Sequence, residues 1–167
     1  ALQIGSEVNY NELSQLVQAD NKTIEKYIDL LEKSFVVFRL PALNKNVRNE
    51  IKKGKKFYFY DNGIINAVTG NFSPIHKRSD VGHLWENYVI SERRKYLFQH
   101  QLSYESYFWR TTQQQEIDYI ELQKNNYLAV EIKWNPKSKV KFSTTFSGAY
   151  KHKELVVTPE NIEELLM

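Results

Sequence analysis

The chain contains no cysteine. That excludes disulfides and thiolate metal sites and fits a cytoplasmic setting best. No apolar run approaches the roughly 20 residues that a bilayer-spanning helix requires, so no membrane partner is expected. The first residues, Ala1-Leu2-Gln3-Ile4-Gly5-Ser6, carry neither a basic leader nor a signal-peptide core and read as the start of a fragment of a longer protein. Internal repeats and low-complexity tracts are missing. So is a Gly-x-x-x-x-Gly-Lys-[Ser/Thr] phosphate loop, so these residues carry no phosphate-loop nucleotide site. Four histidines, His76, His83, His100 and His152, are scattered with no pair at ligand spacing. His83 lies one helical turn from Glu86, within reach of a metal or phosphate there, but a surface or half-buried histidine is the preferred reading.

What is present suffices for one domain or two small ones: 167 residues, 41% hydrophobic and 14% aromatic, with 11 tyrosines that suit cores and binding surfaces alike. The net charge of +3 is too small to argue for nucleic acid, but it is unevenly spread. Between Asn44 and Lys56 stand six basic residues, Lys45, Arg48, Lys52, Lys53, Lys55 and Lys56, against Glu50 alone. From Lys133 to Lys153 there are six lysines and no acid. Such clusters favour polyanions through counterion release, or they simply solvate a face.

Periodicity predicts a helix over Tyr10–Gln18, a break at Ala19-Asp20-Asn21, and a second helix to Lys33 that starts at Asn21 or Thr23. Two short helices joined by a three-residue turn form a helix-turn-helix. Strands over Phe35–Leu40 and Lys55–Tyr60 would flank the basic loop as a wing, with a short helix over Ile64–Val68. Residues 71–79 read as a linker. The second half reads as a helix over Gly82–Phe98 and strands over Tyr104–Arg110, Glu116–Leu122 and Tyr127–Trp134. A lysine-bearing amphipathic helix over Lys139–Tyr150, a strand at Leu155–Val157, and a terminal helix started by Thr158-Pro159-Glu160 complete it.

Chemistry concentrates in the hairpin of the second half. Side chains alternate along a strand, so Glu116 shares a face with Asp118, and Glu131 with Lys133. A two-residue turn at Lys124-Asn125 sets Asp118 opposite Glu131, whereas a turn at Asn125-Asn126 sets it opposite Lys133. Either register brings the groups within cross-strand reach. Leu128, Val130, Ile132 and Trp134 form the opposite, core-facing side. An ordinary ion pair on a solvated sheet fits the same residues. Glu86, on the preceding helix, and the downstream lysines favour a site instead.

Glu86, Asp118 and Glu131-x-Lys133 within an α-β-β-β-α-β order resemble the PD-(D/E)XK nuclease superfamily. Gly82-x-x-x-Glu86-Asn87, Trp109-Arg110, Glu116-Ile117-Asp118-Tyr119 and Val130-Glu131-Ile132-Lys133 are closer to the domain of unknown function at the C-terminus of many AAA+ ATPases. There a winged helix commonly precedes the nuclease-like domain. Thr23-Ile24-x-x-Tyr27-Ile28-x-x-Leu31-Glu32 and Lys56-Phe57-Tyr58-Phe59-Tyr60-Asp61-Asn62-Gly63 match that segment. The resemblance covers nearly the whole chain. It implies an α/β (α+β) architecture, with a winged helix-turn-helix over 1–70 and a restriction-endonuclease-like domain over 71–167. It implies Asp118, Glu131 and Glu86 as ligands of Mg2+ or Mn2+, and Lys133 beside the attacking water or the transition state. Ile117 stands where the motif's name has proline.

The expected partners are DNA and the ATPase domain of the full-length protein, with homo-oligomerisation left open. Lys137, Lys139, Lys141, Lys52, Lys53 and Lys55 are the candidate nucleic-acid contacts. Trp109 is read as a core or edge anchor and Arg110 as the partner of a nearby acid. Residues 1–43 hold six acids against four bases, so the first segment suits protein contacts at least as well as a DNA groove. A regulator that reads DNA sequence is disfavoured for that reason. The remaining alternatives are an active nuclease module and a nuclease-derived domain that only docks.

Overall fold

The computed structural model describes residues 4–44 and 54–167. The basic loop with Lys45, Arg48, Lys52 and Lys53 lies outside the described residues. Helices and two separate sheets make a mixed α+β molecule. Helix α1 spans Tyr10–Val17, and the side chain of Asn9 caps it by accepting from the Asn11 N–H. Helix α2, Asn21–Lys33, is capped by Asp20, one residue earlier than expected, whose carboxylate accepts from both the amide and the hydroxyl of Thr23. Strands β1 (Val37–Pro41) and β2 (Lys55–Phe59) pair antiparallel with Phe38 opposite Tyr58, and their rings stack 5.9 Å apart. Phe35 and Val36, expected in the first strand, precede it. Helix α3, Asn62–Thr69, ends at Gly70, where a φ of 65° favours glycine. Within the expected linker, Ile75–Lys77 forms a single 3-10 turn.

Helix α4 (Val81–Gln99) precedes a four-stranded sheet of order β3-β4-β5-β6: Glu105–Arg110, Glu116–Gln123, Asn126–Ile132 and His152–Val157. The first two pairings are antiparallel and the last is parallel, reached through α5 (Thr144–Ala149). Lys124 and Asn125 both take positive φ, 47° and 66°, and close the β4–β5 hairpin as a two-residue turn. The register is therefore the first of the two expected, with Tyr119 opposite Val130.

Helix α5 is shorter than the expected Lys139–Tyr150, and it carries no lysine. Ser143 caps it, so Lys137, Lys139 and Lys141 lie in the exposed irregular stretch before it. The threonines and glycine that fill its turns are weak helix formers, and only the stretch that buries Phe146 folds. Thr158-Pro159-Glu160 starts no helix directly. Thr158 instead donates to Asn161 through its amide and hydroxyl, and the terminal α6 covers Glu163–Leu166. Among the described residues no helix is long and apolar enough to cross a membrane.

Both faces of the large sheet are covered, where one solvated, charged face was expected. On one side Tyr119, Val130 and Ile132 pack with Val89 and Ile90 of α4 and with Phe38, Leu40 and Tyr58 of the small sheet. On the other, Trp109, Ile120 and Ala129 pack against Phe146 and Tyr150 around α5. A buried pair fixes α4 to β4: the Arg93 guanidinium meets Glu121 at 2.6 and 2.8 Å, and it also donates to the carbonyl of Leu165.

The seam between β2 and α4 rests on Asn87, which is fully buried. Its side chain accepts from the Phe59 N–H at 2.7 Å and donates to the Phe59 carbonyl at 3.0 Å and to Asn62 at 2.8 Å. Asn87→Ala strands these groups away from water and is expected to cost about 2–4 kcal/mol, read as a lower midpoint in urea unfolding. A loss below about 0.5 kcal/mol would show that the seam does not depend on this carboxamide.

Candidate functional site

Asp118 sits where β4 and β5 part. Regular pairing of the two strands ends at Tyr119 and Val130, and β5 continues beside β6, with the Lys133 N–H bonded to the Val157 carbonyl. The Asp118 carboxylate fills the opening. It accepts from the Ile132 N–H at 2.8 Å and from the Lys133 ammonium at 3.0 Å. Lys133 also meets Glu131 at 2.7 Å. One cation thus holds two carboxylates from adjacent strands, and all three groups expected on the hairpin converge.

The neighbourhood is partly desolvated. Glu131 is buried, and burial together with the facing Asp118 pushes its carboxyl from 4.5 to about 7, against the pull of Lys133. Burial would lower the Lys133 ammonium, but Asp118 and Glu131 more than offset it and hold it above its ordinary value.

Glu86 approaches the same cluster from α4. Burial raises its pKa, as does the negative charge of Asp118, while Lys56 acts in the opposite sense. Its carboxylate accepts from the Tyr58 hydroxyl at 2.7 Å and lies 3.7 Å from the Lys56 ammonium. Gly5, at φ 71°, lets the backbone pass: a Cβ there would stand 3.0 Å from the Glu86 carboxylate.

Lys56 was not among the expected site residues, yet it is buried at 2% exposure and bridges Glu86 to Glu116. Burial alone would lower its pKa, but those two acids reverse the shift. Glu116 in turn meets Arg110 at 3.5 Å, and Arg110 meets Glu7 at 3.7 Å, so Arg110 pairs nearby acids as expected. The available signal was alternation: on β2, Lys56 must share a face with Tyr58. Trp109 is fully buried, as a core anchor should be.

Among the described candidate nucleic-acid contacts, Lys141 shares a cavity with an acid of the cluster. It lines a cavity of about 290 Å3 with Glu116, Gln115 and Ser143. Lys137 and Lys139 are exposed, and Lys55 lies over the Tyr10 ring at 5.6 Å. His83 is exposed on α4.

Among the described residues no three His, Asp or Glu side chains are assembled to hold a metal ion. Two acids nonetheless fit a hard divalent cation in kind. Asp118 and Glu131 are oxygen donors crowded enough to raise one carboxyl to about 7. Glu86 is engaged by Tyr58 and Lys56 instead.

Residues 81–165, just over half of the chain, match the family described as a domain of unknown function, DUF4143. The chain belongs to the DUF4143 family. A second domain of unknown function, DUF8612, matches residues 1–74. Uncharacterized proteins of Mycobacterium tuberculosis and Mycobacterium bovis are each 28% identical over 119 residues, which is 70% of this chain and 26% of theirs. An uncharacterized protein of Haemophilus influenzae is 29% identical over 93 residues, 54% of this chain and 22% of its own. The chain spans about a quarter of the length of the curated relatives it matches. No solved structure matches it.

Two outcomes test this electrostatic reading. A carboxyl with a folded pKa above its unfolded value binds its proton more tightly in the fold. The Glu131 contribution is therefore largest below about 4.5 and is lost as pH rises through about 7. Glu131→Gln should flatten that slope and gain on the order of 1–3 kcal/mol over wild type at pH 8 but little at pH 4.5, read by urea unfolding. Lys56→Met leaves Glu86 and Glu116 without their ammonium and should cost about 3–5 kcal/mol. Adding Glu86→Gln should recover part of that loss, and strict additivity in the double-mutant cycle would deny the pairing.

Proposed function

We propose that this chain is the nuclease-like C-terminal module of an AAA+ ATPase. In this reading a winged helix over residues 1–70 precedes a PD-(D/E)XK nuclease-like domain over 71–167, and the module binds DNA and hydrolyses phosphodiester bonds with Mg2+ or Mn2+. The convergence of Asp118 and Glu131 on Lys133, with Asp118 15 positions before the lysine, carries the reading. The order α4-β3-β4-β5-α5-β6 and the helix–helix–hairpin arrangement of the first half support it.

Asp118 and Glu131 would hold the divalent ion. Bound there, it would supply Lewis-acid polarisation of a phosphoryl oxygen and a water of lowered pKa. Asp118, fixed by the Ile132 amide, presents its carboxylate in one orientation. Lys133, held protonated by both acids, places a positive charge where a phosphate oxygen gains negative charge. Glu86 would complete the acid set once its carboxylate parts from Lys56. Lys137, Lys139 and Lys141, exposed in the stretch before α5, would meet the phosphate backbone.

A second reading has its own observation. Because Lys56 and Tyr58 occupy Glu86, a domain that docks on DNA or protein without cutting is consistent with the same geometry.

Incubation with plasmid and branched DNA in Mg2+ or Mn2+ separates the two. Hydrolysis predicts cleavage that Asp118→Ala abolishes and that Lys133→Ala slows about a hundredfold. It also predicts Mn2+ binding, followed by electron paramagnetic resonance, that disappears in Asp118→Ala. Cleavage no higher than that of Asp118→Ala defeats the enzyme reading. DNA binding that then persists, and that fails when Lys137, Lys139 and Lys141 are neutralised together, establishes docking.

A further inference from the structure

The β2–α4 seam carries three side-chain rungs. Tyr58 meets Glu86, Phe59 meets Asn87, and Tyr60, just past β2, accepts from Arg94 Nε at 3.1 Å. Glu86 and Arg94 are eight residues apart on α4, about 12 Å of helical rise. At the Arg94 end the seam opens into a groove of about 500 Å3, lined by Phe35, Tyr60, Phe98 and Tyr104 together with Arg94 and Lys95, and among the described residues no carboxylate lines it.

Two of these rings face water. Phe98 is 87% exposed, and Phe35 is 70% exposed. Phe35 also holds a φ of 55°, in the left-handed region that a side chain disfavours, beside Tyr60 at 5.7 Å. The Arg94 guanidinium lies 4.9 Å over the Phe38 ring and 5.8 Å from Tyr60. Among the described residues its two terminal nitrogens have no hydrogen-bond partner, so its planar fork is available to an anion. Lys95 is paired with Glu92 on the helix surface.

We infer that this groove binds unpaired nucleotides of a single-stranded nucleic acid, the bases stacking on Phe98, Tyr104 and Phe35 and a phosphate meeting Arg94. Aromatic faces interleaved with a free guanidinium suit a ligand that alternates flat rings with anions. An apolar peptide would leave the fork unmatched. A duplex keeps its bases paired and stacked, out of reach of these rings. The inference deepens the nuclease-like reading: a strand whose unpaired end lies in the groove would run along the seam toward the acid cluster.

The test is fluorescence anisotropy of a fluorescein-labelled oligodeoxyuridylate, its oligouridylate counterpart, and a duplex of matched length, in EDTA so that no metal-dependent chemistry contributes. Tighter binding of a single strand than of the duplex is expected, with the tighter of the two single strands identifying the sugar. Phe98→Ala and Arg94→Gln should each weaken that binding about fivefold or more. Photocrosslinking with a 5-bromouracil strand should label the peptides carrying Phe98 or Tyr104.

Affinity unchanged in both variants overturns the groove, as does equal binding of the duplex. So do crosslinks confined to residues 137–141, or a Phe98→Ala chain that loses self-association in sedimentation while binding oligonucleotide normally. Groove-dependent binding without cleavage keeps this inference and removes hydrolysis. Cleavage that ignores Phe98 and Arg94 removes only the groove.

Discussion

A two-residue turn governs the second half of the molecule. Lys124 and Asn125 both adopt left-handed backbone, which matches the twist of the flanking strands and admits no extra residue between them. Because side chains alternate faces with a period of two, a slip of one residue would put Asp118 and Glu131 on opposite faces of the sheet. With the turn where it is, Asp118 and Glu131 arrive on the same side at the end of the ladder. There the strands separate, and a side chain rather than a carbonyl satisfies the Ile132 amide. The site is thus a termination of the sheet, and the backbone hydrogen bond given up there is replaced by the group that makes the place acidic.

The cluster is not a stabilising device on net energetics. Glu86, Glu116, Asp118 and Glu131 gather around Lys56 and Lys133, with Arg110 beyond. Taking such groups out of water costs about as much as their attraction returns, and apolar residues of similar volume would serve a core as well or better. Burial and the facing Asp118 push the Glu131 carboxyl up to about 7, and Lys56 lies buried between Glu86 and Glu116. The Arg93–Glu121 pair differs. It is bidentate, it reaches the Leu165 carbonyl, and it ties α4, β4 and α6 together, which is a structural task.

Most elements were legible because local chemistry and burial agree. The break at Ala19-Asp20-Asn21 between α1 and α2 and the Lys124-Asn125 turn each express a backbone preference that the fold respects. The hairpin acids were legible for the same reason, since strand periodicity and turn length alone set which residues face each other. Lys139–Tyr150 misled because its helical spacing is supplied partly by lysines that burial does not recruit. Helix formation there waits on Phe146 docking between Trp109 and Tyr150. The two-sided burial of the sheet was illegible, because Glu131 and Asp118 read as solvated when the covering helix is counted as charged. Lys56 was hidden differently. Its neighbours in sequence are the basic loop, and only tertiary contact shows that it turns inward.

That inward turn joins the two halves. The first half meets the large sheet through Leu43, whose amide bonds the Phe108 carbonyl, and through Lys56, which meets Glu116, while Tyr58 and Phe59 meet Glu86 and Asn87 of α4. Gly54 permits the approach, since a Cβ there would fall 2.7 Å from the Glu7 carboxylate. The principal core runs through both sheets without a break. The charge state and position of Glu86 therefore depend on where the β1–β2 hairpin sits. A force on the first half would reach the acid cluster through packed side chains rather than through a flexible connection. The two ends of the seam answer to the same strand: moving β2 along α4 would displace Tyr58 and Lys56 from Glu86 and Tyr60 from Arg94 together.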